Sequence, residues 1–160
     1  MSEKIAPQDT CVLVTGGAGF IGSHTVVELL QADYQVVIVD DLSNASAKVL
    51  DRIRTIVGDD AAARMTFYEA DVNDRAALAR IFDAHHPSRV IHFAGYKAVG
   101  ESVTKPVEYY ANNIGNTLTL VDVMREHGCK DIIFSSSATV YGDPDSLPLT
   151  EESPKKPATN

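Results

Sequence analysis

The feature of this sequence that most constrains its fold is a glycine triplet placed between a predicted strand and a predicted helix. Gly16, Gly19 and Gly22 directly follow the apolar run 11–15, and apolar residues at helical spacing come after them. At such a junction the first glycine permits a tight turn, the second lets the backbone approach a pyrophosphate, and the third lets the helix pack close to the strand. The triplet therefore predicts a dinucleotide-binding unit, in preference to a glycine-rich turn that binds nothing.

Short β-branched runs alternate with stretches of helical period along the rest of the chain. The predicted strands are residues 11–15, 36–40, 65–70, 89–93 and 131–135. The predicted helices follow the glycine triplet, begin at Ser46, cover residues 74–85, and extend from Pro106 towards Gly128. This alternation is typical of the α/β class with a doubly wound parallel sheet, the Rossmann fold.

The sequence divides into three predicted parts. Residues 1–10 are an N-terminal extension, residues 11–142 form the dinucleotide-binding domain, and residues 143–160 are an extended tail. Prolines among polar residues exclude a helix from the tail. The first half of the doubly wound domain is whole, whereas the second half lacks its last helix and strand. We therefore expect the sequence to belong to a larger protein.

Charge and composition exclude several kinds of partner. The net charge of -8 has the wrong sign for binding nucleic acid or an anionic membrane surface. No run is long and apolar enough to span a membrane, and no cluster of residues has metal-ligand spacing. Cys11 and Cys129 fit free thiols in a reducing compartment better than a disulfide. We expect a cytoplasmic protein without a metal ion.

Aspartates follow the second and third predicted strands. Asp40 ends the second strand, where a carboxylate can accept hydrogen bonds from both ribose hydroxyls of an adenosine. A 2'-phosphate would meet Asp40 and Asp41 there and no arginine, so the pattern predicts NAD rather than NADP. Asp41 itself fits a solvated loop position. Asp71, after the third strand, either contacts the adenine amino group or caps the next helix.

The ends of the fourth and fifth predicted strands carry polar residues with two possible roles. Three serines, 135–137, either face the nicotinamide side of a cofactor or satisfy backbone groups of a turn. Lys97 either donates to a ribose or substrate or is a solvated loop lysine. His92 lies within a predicted buried strand, so we expect a hydrogen-bonded core residue rather than a base.

Four segments of the chain together resemble one enzyme family. They are Val-Thr-Gly-Gly-Ala-Gly-Phe-Ile-Gly-Ser-His at 14–24, Phe-Ala-Gly-Tyr-Lys-Ala-Val-Gly-Glu-Ser at 93–102, Tyr-Tyr-Ala-Asn-Asn at 109–113 and Ser-Ser-Ser-Ala-Thr-Val-Tyr-Gly at 135–142. From about Cys11 to its last residue, the chain resembles the UDP-glucose 4-epimerases, which are extended short-chain dehydrogenase/reductases. The resemblance implies an isomerase of galactose metabolism, in which NAD takes a hydride from C4 of UDP-galactose and returns it to the other face, giving UDP-glucose.

The resemblance also implies the residues of the site. Those implied at the cofactor are Gly16, Gly19, Phe20, Ile21 and Gly22 for the pyrophosphate, Asp40, Asp41, Leu42, Ser43, Asn44 and Ala45 for the adenosine ribose, Asp71 and Val72 for adenine, and Phe93, Ala94, Gly95, Lys97 and Asn112 for the nicotinamide side. Ser137 is implied to be catalytic, because it would bond the sugar O4 and pass on its proton.

The family's catalytic base is not in this sequence. In the family a Tyr-x-x-x-Lys helix follows, whose lysine lowers the pKa of the tyrosine, and this sequence ends at Asn160. We therefore expect a fold truncated before that helix, and no activity from the 160 residues alone. Two alternatives stay open. One is a non-catalytic NAD-binding module, and the other is a sugar-nucleotide 4,6-dehydratase, which would carry an Asp-Glu pair where Ala138 and Thr139 stand.

The longest predicted helix has two apolar faces. One is a stripe at helical spacing, which we expect to be the packing face: Val107, Tyr110, Ile114, Leu118 and Val121. The other is a mixed face, which by the resemblance would meet the tyrosine-bearing helix, often across the seam of a homodimer: Tyr109, Asn113, Leu120 and Val123. We expect this second face to be left in water in the present chain.

Overall fold

The structure is a computed structural model and describes residues 6–157. The first residues of the predicted extension 1–10 and the last residues of the predicted tail 143–160 lie outside the described residues. Along the described tail, from Asp143 to Pro157, the backbone forms turns and bends but no helix or strand.

Strands and helices alternate along the chain. The strands are β1 (Cys11–Thr15), β2 (Gln35–Asp40), β3 (Met65–Glu69), β4 (Arg89–His92) and β5 (Asp131–Phe134). The helices are α1 (Phe20–Gln31), α2 (Lys48–Val57), α3 (Asp59–Ala62), α4 (Arg75–His85), α5 (Val99–Thr104) and α6 (Pro106–Glu126). Short 3-10 turns cover Pro7–Asp9 and Ala138–Tyr141.

The five strands form one parallel sheet in the order β3-β2-β1-β4-β5. The chain moves outward from β1 to β3 and then crosses back to place β4 on the other side of β1. Ligands of open α/β sheets bind at this switch point, beyond the carboxyl ends of the strands. The predicted α/β class and Rossmann-like sheet are therefore confirmed.

Two hydrophobic cores cover the two faces of the sheet. Side chains of successive strand residues point to opposite faces, so Leu13 belongs to the core that includes α4 and α6, whereas Val12 and Val14 belong to the core that includes α1 and α2. Burial of these apolar side chains is the main stabilising contribution to such a domain.

Most predicted boundaries agree with the structure to within two residues. Gly58 ends α2 at a φ of 82°, and the Asp74 side chain accepts a hydrogen bond from Ala77 N–H and begins α4. The predicted strand ends at Ala70, Phe93 and Ser135 are one residue too long. Helices α3 and α5 were not predicted, since helices of four and six residues contain too few positions to display a period.

The prediction for the faces of α6 was wrong. The stripe expected to pack is exposed: Val107, Tyr110, Ile114, Leu118 and Val121. The face expected to lie in water contains the buried side chains Tyr109, Leu120 and Val123. The helix is apolar on both sides, and the inward side is interrupted by polar residues that bond to neighbouring loops, so the outer stripe has the more regular period.

Cys11 and Cys129 are free thiols, as predicted. β4 lies between β1 and β5, which is the strand order on which that prediction depended. Burial raises the pKa of Cys11 to about 11, and the neighbouring Cys129 adds to the effect. Within residues 6–157, no helix combines the length and apolar character that crossing a membrane would require.

Candidate functional site

A cleft lies at the carboxyl ends of the strands, beside the glycine turn that joins β1 to α1. It encloses about 830 Å³ of empty space, its open mouth included. Its lining comes from the end of β2, from the turns that follow the five strands, and from α1 and α6: Gly16, Gly19, Phe20, Ile21, Gly22, Asp40, Asp41, Ser43, Asn44, Ala70, Asp71, Val72, Phe93, Ala94, Gly95, Tyr96, Lys97, Asn112, Asn116 and Ser135.

Two of the three motif glycines are required by the packing of the protein itself. Gly16 has a φ of 68°, and a Cβ there would lie 2.7 Å from the backbone nitrogen of Ala94. A Cβ on Gly22 would lie 2.2 Å from the carbonyl oxygen of Gly16. A Cβ on Gly19 would approach closely only that same carbonyl, at 3.2 Å, leaving aside the adjoining residues. Glycine at position 19 therefore mainly keeps space open in the cleft.

The N-terminus of α1 faces the cleft with its backbone donors available. Gly19 is the N-cap residue and no side chain caps the helix. The first turn of α1 contains no acidic residue. Free N–H groups and the positive end of the helix dipole favour an anion at such a position.

Asp40 ties the glycine turn to the loop after β2. Asp40 is 7% exposed, and its carboxylate accepts hydrogen bonds from Ala18 N–H and from Leu42 N–H, each at 2.9 Å. Each oxygen keeps a further lone pair for an additional donor. Leu42 adopts a φ of 56° and contributes its backbone rather than its side chain, and neither it nor Ala45 lines the cleft.

Asp71 lies in the loop after β3, and the sequence leaves two roles open for it, a contact with adenine or the cap of the next helix. One oxygen of its carboxylate accepts hydrogen bonds from the backbone N–H and the side-chain amide of Asn73, at 2.8 and 3.0 Å. This is an Asx turn, and Asp74 rather than Asp71 provides the helix cap. Asp71 also lines the cleft, so its contact with adenine stays a prediction.

His92 is the centre of a buried network between β1, β4 and α6. Its Nδ1 lies 2.6 Å from Thr15 Oγ1, and its Nε2 lies 3.1 Å from Thr117 Oγ1. Thr15 Oγ1 accepts from Ala94 N–H, and Thr117 Oγ1 donates to the carbonyl of Asn113. These directions fit a neutral ring with its proton on Nε2. Burial lowers the pKa of His92, while a hydrogen bond with Asn116 opposes that shift.

Two side chains of α6 form hydrogen bonds with the backbone of the loop after β4. Asn113 forms two hydrogen bonds with the backbone of Tyr96, and Asn116 donates to the carbonyl of Ala94. Neither asparagine was among the predicted site residues. Asn116 lies four residues after the predicted Asn112 and hence on the same side of a helix, so helical spacing could have identified it.

The structure brings together most but not all of the predicted residues. Of the predicted residues, only Leu42, Ala45 and Ser137 fall outside the cleft lining. Ser137 Oγ lies 2.7 Å from Thr139 Oγ1 and accepts from Thr139 N–H, whereas Ser135 lines the cleft. Ala70, Tyr96 and Asn116 line the cleft without having been predicted, and Ser135 does so as one of the two roles left open for the three serines. Within the described part of the chain, no three His, Cys, Asp or Glu side chains are arranged to hold a metal ion.

Comparison with known proteins identifies similar sequences over most of the chain. The profile of a family described as GDP-mannose 4,6 dehydratase matches residues 13–160. UDP-glucose 4-epimerase 2 from Arabidopsis thaliana is 55% identical and UDP-glucose 4-epimerase from Bacillus subtilis is 54% identical, each over 143 residues. Both alignments cover 89% of this chain and 41% of the relative. The chain thus spans about two fifths of the length of the curated relatives that it matches.

Solved structures with the same arrangement include two UDP-glucose 4-epimerases. The protein from Bifidobacterium longum, in complex with NAD+ and UDP, has a TM-score of 0.86 and 53% identity over 92% of this chain and 43% of its own. The protein from Stenotrophomonas maltophila, with bound NAD and formylated UDP-arabinopyranose, has a TM-score of 0.86 and 43% identity over 94% of this chain and 44% of its own. The predicted resemblance to the UDP-glucose 4-epimerases is confirmed.

Proposed function

We propose that the chain, which belongs to the family described as GDP-mannose 4,6 dehydratase, is the NAD-binding part of a UDP-glucose 4-epimerase. The observation that carries the proposal is the cleft at the switch point of the sheet, lined by the glycine turn, Asp40 and the 93–97 loop. The relatives that are 55% and 54% identical, both named UDP-glucose 4-epimerase, support the choice of reaction.

The residues of the cleft fit a dinucleotide. The uncapped N-terminus of α1 suits a pyrophosphate, and the space at Gly19 allows its approach. The spare lone pairs of Asp40 suit two ribose hydroxyls, and its negative charge disfavours the 2'-phosphate of NADP. When bound, NAD would supply the hydride acceptor. Phe93, Lys97 and Asn112 would then orient its nicotinamide side.

In this proposal Ser137 is the residue that bonds the sugar O4. Its hydroxyl is exposed and bonded to Thr139, a contact between two hydroxyls that a substrate hydroxyl can replace. A serine hydroxyl gives up its proton near neutrality only when a neighbouring base accepts that proton. No Tyr-x-x-x-Lys occurs among the 160 residues, so we expect no turnover from these residues alone.

The alternatives differ in what they require of the same cleft. A non-catalytic NAD-binding module would bind NAD without contributing to turnover in any context. A 4,6-dehydratase is disfavoured because Ala138 and Thr139 stand where its Asp-Glu pair would be.

We also propose a homodimer through the outer face of α6 and a cytoplasmic location. The exposed stripe includes Leu118 at 65% and Val107 at 75% exposure, on a helix of 21 residues. A contiguous patch of exposed apolar side chains is typical of surfaces through which proteins associate. Free thiols support the location.

Calorimetric titration of the 160-residue chain tests the first step. We expect NAD to bind and NADP to bind at least tenfold more weakly, on the order of the repulsion between one carboxylate and a phosphate. Equal binding of the two cofactors would contradict the assignment of Asp40. Failure of NAD to bind would contradict the proposed function.

A chimera tests the catalytic step. It joins this chain to the remaining C-terminal length of the Bacillus subtilis relative, and conversion of UDP-galactose to UDP-glucose is followed. Turnover by the chimera supports the epimerase, and its absence supports the binding module. Ser137→Ala should lower kcat by about 10²–10⁴-fold, whereas the matched control Ser136→Ala should leave it within a few-fold. An unimpaired Ser137→Ala chimera would remove Ser137 from the catalytic role.

A further inference from the structure

The loop between β4 and α5 is an exposed part of the cleft lining. Residues 93–97 contain no helix or strand, and Gly95, Tyr96 and Lys97 are exposed. All five residues line the cleft. Such a segment would sample many conformations unless another part of the protein restrained it.

Asn113 of α6 provides that restraint through two hydrogen bonds to one residue. Its Oδ1 accepts from Tyr96 N–H at 2.8 Å, and its Nδ2 donates to the Tyr96 carbonyl at 2.9 Å. Asn112 Nδ2 donates to the same Oδ1 at 3.0 Å. The side-chain amide therefore pairs with the loop backbone as a neighbouring strand would, and the donors around it fix which way the amide points.

The loop lies close to the helix at the residue before this contact. A Cβ on Gly95 would lie 3.3 Å from Asn113 Oδ1. Three residues further along α6, Asn116 donates to the Ala94 carbonyl at 3.3 Å. Successive loop residues are thus bonded to one side of α6, with the stronger pair of contacts at Asn113.

We propose that Asn113 is a positioning residue, which holds the 93–97 loop in the conformation that receives the nicotinamide side of the cofactor. The inference rests on the proposed NAD-binding function. Asn113 is not part of the cleft lining, so it acts through the backbone of Tyr96 and the placement of Lys97. The adenosine side, built from the glycine turn and Asp40, has no bond to Asn113.

Loss of the Asn113 hydrogen bonds should weaken binding only of ligands that reach the 93–97 loop. If the loop without Asn113 spends about one tenth of its time in the receptive conformation, the apparent Kd for a ligand that needs the loop rises about tenfold. A ligand that reaches only the adenosine and pyrophosphate positions does not depend on the loop. Its Kd should not change.

The test compares NAD with ADP by calorimetry on the 160-residue chain. Two variants are used: Asn113→Ala, and Asn113→Leu, which keeps the number and branching of the side-chain heavy atoms without their hydrogen bonds. Both should raise the Kd for NAD roughly tenfold and leave the Kd for ADP within about twofold. The matched control is Thr10→Val, which removes a side-chain hydrogen bond to Ala6 at the opposite end of the sheet. It should change neither Kd.

Each other outcome contradicts a different statement. An unchanged Kd for NAD in both variants, or an equal loss of NAD and ADP, would overturn the positioning role. A wild-type chain that binds neither ligand would contradict the proposed function instead. Hydrogen exchange then still decides the inference, because the Tyr96 amide should be protected in the unliganded wild type and lose that protection in Asn113→Leu. A Tyr96 amide that exchanges as fast in the wild type as in the variant would overturn it.

Discussion

The two sides of the cleft are held together by different kinds of contact. On the glycine-turn side, backbone lies directly against backbone: Gly16 N–H donates to the Val39 carbonyl, and a Cβ on Gly22 would lie 2.2 Å from the Gly16 carbonyl oxygen. On the 93–97 side, side chains of α6 bond to the loop, among them Asn113 and Asn116. The close backbone packing at Gly16 and Gly22 leaves no room for an added Cβ. The hydrogen bonds of Asn113, in contrast, can be removed by substituting a side chain of similar shape. Substitutions on the glycine-turn side should therefore act through steric clashes. Substitutions on the 93–97 side should act by making the loop less ordered.

The sheet shows the same contrast between its centre and its edge. Every residue of β2 after Gln35 is buried, whereas all four residues of β5 are exposed. Ile133 and Phe134 are 65% and 56% exposed. Stability should therefore come from the β1–β2 half, and substitutions on β5 should cost little.

The largest expected effect comes from adding one methyl group to the glycine turn. Gly22→Ala places a Cβ 2.2 Å from the Gly16 carbonyl oxygen, so helix and strand must separate, at a cost of about 3 kcal/mol, the upper end of the usual cost of overpacking. Gly19→Ala should keep most of the stability and still abolish NAD binding, because its Cβ enters the space for the ligand. Urea denaturation and calorimetry measure the two effects. The control Gly100→Ala has no atom nearby for its Cβ to meet and should alter neither.

Loss of NAD binding in Gly22→Ala and Gly19→Ala with equal stabilities would contradict the division of roles among the glycines. Retention of NAD binding in Gly19→Ala would contradict the proposed place of the pyrophosphate.

The next effect tests which face of α6 contacts the sheet. Leu120 is fully buried and Leu118 is 65% exposed. Leu120→Ala should lower the free energy of unfolding by about 3 kcal/mol, because it leaves a cavity in the core. Leu118→Ala should change it by less than about 0.5 kcal/mol and should reduce any self-association measured by light scattering. Equal destabilisation by the two variants would contradict the orientation of the helix.

A smaller effect is expected at the carboxylate that joins the turn to the β2 loop. Asp40→Asn replaces one acceptor oxygen with an NH2 group, so either Ala18 N–H or Leu42 N–H loses its partner. The expected cost is about 1–2 kcal/mol, and the preference for NAD over NADP should fall because a negative charge is lost. Asp41→Asn is the control, since Asp41 is exposed and bonds only to Ser43. If Asp41→Asn relaxed the cofactor preference more than Asp40→Asn did, the selectivity would have to be assigned to Asp41.

The same contrast explains which features of the fold and of the site could be predicted from the sequence. The glycine turn and Asp40 are predictable because each depends on residues that are local in sequence or at a fixed distance from the triplet. The contacts of Asn113 and Asn116 are not, since they depend on how α6 is rotated about its axis. Apolar periodicity indicated the wrong rotation, because these polar residues interrupt the inner face. The position of Ser137 depends on a 3-10 turn after β5, which no period in the sequence indicates.

The smallest expected effect concerns the charge of His92, which lies between the two sides of the cleft. Burial lowers the pKa of His92 below its ordinary value of 6.5, so the folded chain binds fewer protons than the unfolded chain once the pH falls below that value. Protonation would also place a donor on Nδ1 opposite the Thr15 hydroxyl, whose own proton would then lose its acceptor. The free energy of unfolding should therefore decrease as the pH falls from about 7.5 to 5.5. In His92→Gln, which keeps a donor towards Thr117 but cannot titrate, part of that decrease should disappear. Urea denaturation at both pH values measures it, with the exposed His24→Gln as the matched control. A pH dependence that is identical in wild type and His92→Gln would mean that His92 is not held neutral by its buried network.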